Sequence, residues 1–122
     1  MSWNLSKERP IYIQLVEQIK LQILSGHYRP GERFPSVREL ATEAAVNPNT
    51  MQKALAELER EGLVYSQRTA GRFVSDNKEK TDRLQEEMTM ECIKTFVAQM
   101  EKMGYKKEQI IEMLNKYISE NK

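Results

Sequence analysis

A mainly α-helical fold carrying one small β-hairpin is predicted by three features of this 122-residue chain. Apolar residues recur every three or four positions in five separate segments, as they do in helices that bury one face. The runs LVYSQ (63–67) and RFVS (72–75) are β-prone and flank RTAG, a tip suited to a tight reversal. Short stretches bearing Pro, Gly or an N-capping residue separate the segments and set their ends.

The first helix follows Pro10, where Ile11, Tyr12, Leu15, Val16, Ile19, Ile23 and Leu24 line one face and the pattern stops before Gly26. HYRPGERFP holds Pro30-Gly31 and ends on Pro35, so it reads as a turn. In Ser36-Val37-Arg38-Glu39 the Ser36 hydroxyl can accept from the Glu39 N–H while the Glu39 side chain reaches back. This capping box opens a second helix with Val37, Leu40, Ala41 and Ala44 inward. In VNPNTMQKAL, Asn47 is a favoured N-cap and Pro48 suits the first helical position, where its missing N–H would have been unpaired anyway. This third helix runs to Glu61, with Gly62 able to take a left-handed backbone. Met51, Ala54, Leu55 and Leu58 share one side of it, and Asn49, Lys53, Ala56 and Arg60 the other.

Three helices and a hairpin in this order make an N-terminal winged helix-turn-helix over residues 1–75. SDNKEKTD (75–82) is polar without an apolar period and reads as a linker. Leu84, Met88, Cys92, Phe96 and Met103, flanked by Ile93, Val97 and Met100, outline a long amphipathic helix closed by Gly104. Ile110, Ile111, Leu114 and Ile118 mark a shorter one, although Lys106 is a poor N-cap for it. Two helices alone cannot enclose both apolar faces. Residues 76–122 are therefore expected to be a linker and a two-helix dimerisation region, built on Leu84, Met88, Cys92, Phe96, Val97, Met100, Met103, Ile110, Ile111, Leu114 and Ile118.

Composition narrows the function classes. At 39% hydrophobic and 30% charged the chain is globular, and no apolar run approaches the roughly 20 residues that span a bilayer, so no membrane partner is expected. MSWNLSKERP has no apolar stretch behind its charges, which argues for a cytoplasmic location, an idle Asn4-Leu5-Ser6 sequon and a reduced Cys92. The net charge of +1 does not mark a nucleic-acid binder by itself. Ten basic residues oppose eight acidic ones in 1–75, against nine and ten in 76–122, so any basic surface is local and N-terminal. No nucleophile with base and orienting group, metal cluster or phosphate-cradling Gly loop is present, so neither an enzyme, a metal nor a cofactor is expected. His27 has no companion at ligand spacing and reads as a turn residue.

In helix-turn-helix geometry the amino end of the second helix of the pair meets base edges in the major groove. The NPNT start suits this, with unpaired N–H groups and the positive end of the helix dipole facing phosphates. Asn49 and Gln52 can offer paired donor and acceptor groups to adenine. Arg38 can reach guanine or phosphate, Lys53 a phosphate, and Arg68, Thr69 and Arg72 the flanking minor groove. Each has a plainer reading. Asn47 caps, Lys53 and Arg60 form a solvated face, Arg38 pairs with Glu39 or Glu43, and Cys92 is a small hydrophobe rather than a redox sensor. Met88, Met90, Met100, Met103 and Met113 are dimer core before they are an adaptable groove, while Tyr12, Tyr65 and Phe73 plug the core around the wing. A winged helix can also serve protein interaction, but Asn49, Gln52, Lys53 and Ala56 offer no large aliphatic to a protein partner.

Residues 9–75 resemble the DNA-binding domain of the GntR family of bacterial transcription regulators. The resemblance is carried by PIY, SG followed by RPGERFPSVRELA, VNPNTMQKAL, ELEREGLV and GRFV, in the family's order and spacing. Residues 76–122 resemble the corresponding part of the short YtrA-like subgroup, in which two helices replace a large effector domain. The resemblance implies a homodimer on a two-fold symmetric double-stranded operator. It further implies repression, often of the regulator's own operon and neighbouring transporter genes, with contacts from Arg38, Asn47, Asn49, Thr50 and Gln52 and, in the wing, Arg68 and Thr69; Ser36 is expected to join them at the DNA. Gln52 stands where many relatives have Arg, and Thr69 where the wing commonly has Gly. An effector is unknown, and about 45 residues beyond the linker form no obvious metabolite pocket on their own.

Overall fold

The computed structural model describes residues 3–121 and holds five helices and one hairpin, in the order α1 (Ile11–Leu24), α2 (Val37–Ala44), α3 (Pro48–Arg60), β1 (Val64–Gln67), β2 (Gly71–Val74), α4 (Lys78–Lys102) and α5 (Lys107–Glu120). They divide into two compact units, one running to Leu84 and the other starting at Gln85.

In the first unit α1, α2 and α3 pack around a core that includes Leu15, Ile19, Leu40, Met51, Leu55 and Leu58, closed by Leu63 and by Val64 and Val74 of the hairpin. The faces expected to be apolar are the buried ones. Tyr12, Tyr65 and Phe73 are only half-buried, and the last two stack on each other across the hairpin with ring centroids 5.8 Å apart. Of the three, Tyr12 packs against the core from its edge, while Tyr65 and Phe73 pair on the wing instead of plugging the core. α1 begins at Pro10 without a side-chain cap. Its entry is held instead by Gln14, 3% exposed, whose amide donates to the Ser6 and Arg9 carbonyls at 2.7 and 2.9 Å and accepts from the Ser6 N–H at 2.7 Å. A buried polar group fully paired in this way fixes the preceding strand of chain to the helix.

The Ser36 box is present in both halves: the Glu39 N–H donates to Ser36 Oγ at 3.1 Å and the Ser36 N–H to Glu39 Oε1 at 3.3 Å. α2 ends at Ala45, whose left-handed backbone (φ 57°) makes the turn toward α3. α3 opens at Pro48 and ends one residue short of the expected boundary, with Glu61 as its C-cap. The hairpin is antiparallel, pairing Val64 with Val74, Tyr65 with Phe73, Ser66 with Arg72 and Gln67 with Gly71. The segment expected to be a simple turn does more. Its end runs beside β2, with Arg33 bridged to Phe73, the Phe34 N–H donating to the Arg72 carbonyl at 2.8 Å and the Val74 N–H to the Glu32 carbonyl at 2.8 Å.

The linker expected over 75–82 is corrected: α4 already begins at Lys78. Asn77 Oδ1 accepts the Lys80 N–H at 3.1 Å, and Lys78 pairs with Asp82 at 2.8 Å one turn on. A solvated helical turn needs caps and ion pairs and no apolar residue, so it leaves no period to read. Leu84, expected at a dimer interface, is partly buried against the core of the first unit.

In the second unit Gly104 (φ 97°) breaks the chain between α4 and α5. Lys106 cannot accept a hydrogen bond as a cap, but Gln109 Oε1 accepts the Lys106 N–H at 2.8 Å and supplies the reciprocal half of a box. α4 buries none of its residues, and Ile110, 5% exposed, is the only residue of α5 described as buried. Phe96, Met103, Ile111, Leu114 and Ile118 are exposed, as is Cys92, while Met88, Val97 and Met100 are half-buried.

Candidate nucleic-acid interface

Capping fixes the start of α3. Asn47 Oδ1 accepts the Asn49 N–H at 2.7 Å, so this side chain is engaged in closing the helix, as Ser36 is in α2. Thr50, one residue inside the first turn, is half-buried. Beyond them the helix divides sharply. Met51, Ala54, Leu55 and Leu58 are fully buried, while Asn49, Gln52, Lys53 and Ala56 face solvent. Burial of one face thus sets the rotation of α3 and turns its amide-bearing side outward.

Lys53 is held as well as exposed: its Nζ lies 3.9 Å from the centre of the Tyr12 ring of α1, a cation–π contact. Arg60 is paired with Glu57 through two hydrogen bonds, Nε to Oε2 at 2.7 Å and Nη2 to Oε1. That hydrogen bonding holds the Glu57 carboxyl below its usual range and raises the guanidinium. Arg60 therefore belongs to the solvated face.

An open cleft separates the amino end of α2 from the hairpin, and Arg33, Arg38, Arg68 and Arg72 stand on its walls with Ser36 and Thr69. Glu39 is the only acid among the described residues lining it, and its carboxylate is committed to the capping box. Such a concave surface with guanidinium groups and little opposing charge concentrates positive potential. Among the described residues no hydrogen bond or ion pair holds Arg38 or Arg68, so the plainer reading in which Arg38 pairs with Glu39 or Glu43 does not hold and both groups are free for an anion.

Arg72 differs from these two. Its Nε is buried without a hydrogen bond and stands 3.6 Å from Glu59 Oε1, an ion pair too long to be a hydrogen bond. Arg33 joins the cleft without any signal in the sequence to mark it. Its backbone pairs with β2, and a Cβ added at Gly71 would lie 3.6 Å from Arg33 Nε, so the side chain runs along the wing toward its tip. A local period cannot announce that, because the pairing partner is about forty residues away.

Among the described residues no group of three or more His, Cys, Asp or Glu could hold a metal, and no helix is long and apolar enough to cross a membrane.

The fold has known counterparts. The sequence pattern of the bacterial regulatory proteins of the gntR family matches residues 11–74. The HTH-type transcriptional regulator YhcF of Bacillus subtilis (strain 168) is 38% identical over 112 residues, covering 92% of this chain and 93% of the relative. The HTH-type transcriptional repressor YtrA of the same organism is 41% identical over 107 residues, covering 86% and 82%. Among solved structures, a GntR family transcriptional regulator from Listeria monocytogenes superposes with a TM-score of 0.86 at 37% identity, covering 92% of this chain and 98% of that one. It shares the helices, the hairpin and the two C-terminal helices. The match spans the segments that form the cleft and turn α3 outward, and it extends through the C-terminal helices to the short YtrA-like members. This chain belongs to the gntR family of bacterial regulatory proteins, as a DNA-binding transcriptional regulator and not an enzyme.

Proposed function

We propose that this protein is a cytoplasmic repressor that grips a two-fold symmetric operator as a homodimer and controls its own operon with neighbouring transporter genes. The observation that carries the reading is the outward amino half of α3 beside a cleft walled by arginines, of which Arg38 and Arg68 are free. In this reading Asn49 and Gln52 meet base edges in the major groove, with Asn47 and Thr50 placing the helix end against phosphate. Ser36 and Arg38 contact the backbone from α2, Lys53 a phosphate from beside Tyr12, and Arg68 and Thr69 the flanking minor groove. The relative YtrA is a transcriptional repressor, and repression comes to this chain by that similarity.

The dimer reading rests on the second unit, whose α5 leaves Ile111, Leu114 and Ile118 exposed along one helix. A second copy would cover what a single chain leaves in water. Ile110 is already buried within its own chain, and Leu84 rests on the first unit's core, so the proposed contact is centred on Phe96, Met103, Ile111, Leu114 and Ile118 with Met88, Cys92, Val97 and Met100 around them. Such an interface could form the pocket for a small-molecule effector.

Gel retardation with fragments of the protein's own promoter tests the reading. The expected result is strong, salt-sensitive retention by the wild type and its loss in Arg38→Ala. Retention untouched by salt or by that substitution would refute it.

A further inference from the structure

Glu59 is an acid on the face of α3 that leads toward the proposed DNA surface, two turns beyond Gln52 and one beyond Ala56. A carboxylate there repels phosphate, so its presence calls for a reason. Its Oε1 accepts the Ser66 hydroxyl at 2.6 Å and stands 3.6 Å from Arg72 Nε. Ser66 and Arg72 face each other directly across the hairpin. One oxygen of α3 thus holds both strands of the wing at the same register position. The arrangement also occupies Arg72, whose side chain is 20% exposed and whose Nε is buried. Arg68, nearer the tip, has no such tie among the described residues.

We infer that Glu59 is a positioning residue that sets operator specificity: it braces the wing against α3 through Ser66 and Arg72 and withholds Arg72 from the phosphate contacts. A braced wing presents Arg68 and Thr69 to the minor groove only where α3 is seated on its bases. A loose wing with a second free guanidinium gains electrostatic binding on any sequence, which carries no sequence information. The inference rests on the DNA-contact reading proposed above and adds to it a role for an acid and an internal role for Arg72.

The experiment is a salt series of binding to an operator duplex and to a scrambled duplex, with the full-length wild type, Glu59→Gln, Arg72→Gln and the double variant. Each phosphate contact steepens the dependence of log K on log salt by about 0.9, or about 3.5-fold in affinity for a fourfold change in salt. Glu59→Gln keeps an acceptor for Ser66 and removes the charge facing Arg72. It is expected to steepen the slope on scrambled DNA by about one contact, tighten that binding at low salt and lower the operator-to-scrambled ratio. The double variant should return to the wild-type slope, and Arg72→Gln alone should leave it unchanged. A slope shallower by about 0.9 in Arg72→Gln would show that Arg72 already contacts phosphate and overturn the inference, as would a wild-type slope and ratio in Glu59→Gln or a steepened slope in the double variant. Should Glu59→Gln not fold, the Arg72→Gln slope decides alone. Wild type that retains no duplex in a salt-sensitive way would be a different failure, that of the DNA-contact reading itself.

Discussion

Ala45 shows how much of this fold turns on single residues. It carries φ 57° at the joint between α2 and α3, a backbone that costs an L residue about 1–2 kcal/mol through its Cβ. The Val46 N–H to Ala41 carbonyl bond at 3.0 Å and the Ala45 N–H to Thr42 carbonyl bond at 3.3 Å hold it there. Glycine removes the clash but adds freedom to the unfolded chain, worth about 0.5–1 kcal/mol. Ala45→Gly is expected to stabilise the protein by about 0.5 kcal/mol, read as a higher urea midpoint at unchanged slope, and Ala45→Val to lower it. On the proposed DNA surface, side chains one position apart should behave differently. Gln52→Ala should cost about 1–3 kcal/mol on one base pair of the operator and little on a duplex already altered there. Lys53→Ala should weaken all duplexes alike and reduce the salt slope by about one contact. Binding to operator variants in a salt series separates the two. The caps at Ser36 and Asn47 were legible in the sequence because both partners of a cap lie within three residues. Gln14 and Glu59 were not, since what makes them structural is a partner brought close by tertiary packing.

Elements with an apolar face were legible in proportion to how much of that face is buried. α1 and α3 each bury a continuous stripe, so their rotation follows from the residues alone and their ends to within a residue. The start of α4 shows the opposite case. Its first turn is polar, exposed at Lys78 and Glu79 and half-buried at Lys80 and Thr81, and it is held by the Asn77 cap and the Lys78–Asp82 pair. Asn77→Ala should therefore fray that turn at a cost of about 1 kcal/mol, with faster hydrogen exchange at Lys80, whose N–H loses its acceptor, and little change in the amides of α3. Protection unchanged at Lys80 would mean that packing and not the cap holds the turn. The extended run ending at Phe34 was hidden for another reason. It is a short edge whose hydrogen bonds go to β2 on one side only, so neither alternation nor length distinguishes it from a turn. That edge carries Arg33 into the cleft, which is why the cleft has one more arginine than the sequence pattern alone assigns it.

At the scale of the whole molecule the two units differ in how completely they satisfy themselves. The first has a closed core with nine large side chains almost entirely out of water. The second leaves Met103, Ile111, Tyr117 and Ile118 more than half exposed, which no folded single chain gains from. Because Leu84 packs on the first core, a chain cut after Leu84 keeps that contact, whereas one ending near Asp76 loses it together with the start of α4. The shorter protein ending at Leu84 is expected to fold and to sediment as a monomer, while the full chain sediments as a dimer. On a palindromic operator the two heads of a dimer contribute free energies that roughly add, so removing one should cost several powers of ten in affinity at about 1.4 kcal/mol per power. The slope of log K against log salt should fall to about half, because half of the phosphate contacts are gone. Intermediate losses with an undiminished slope would place a second head on the DNA without the C-terminal helices. Unchanged affinity in the monomer would remove the reason for pairing altogether, and with it the assignment of those helices to dimerisation.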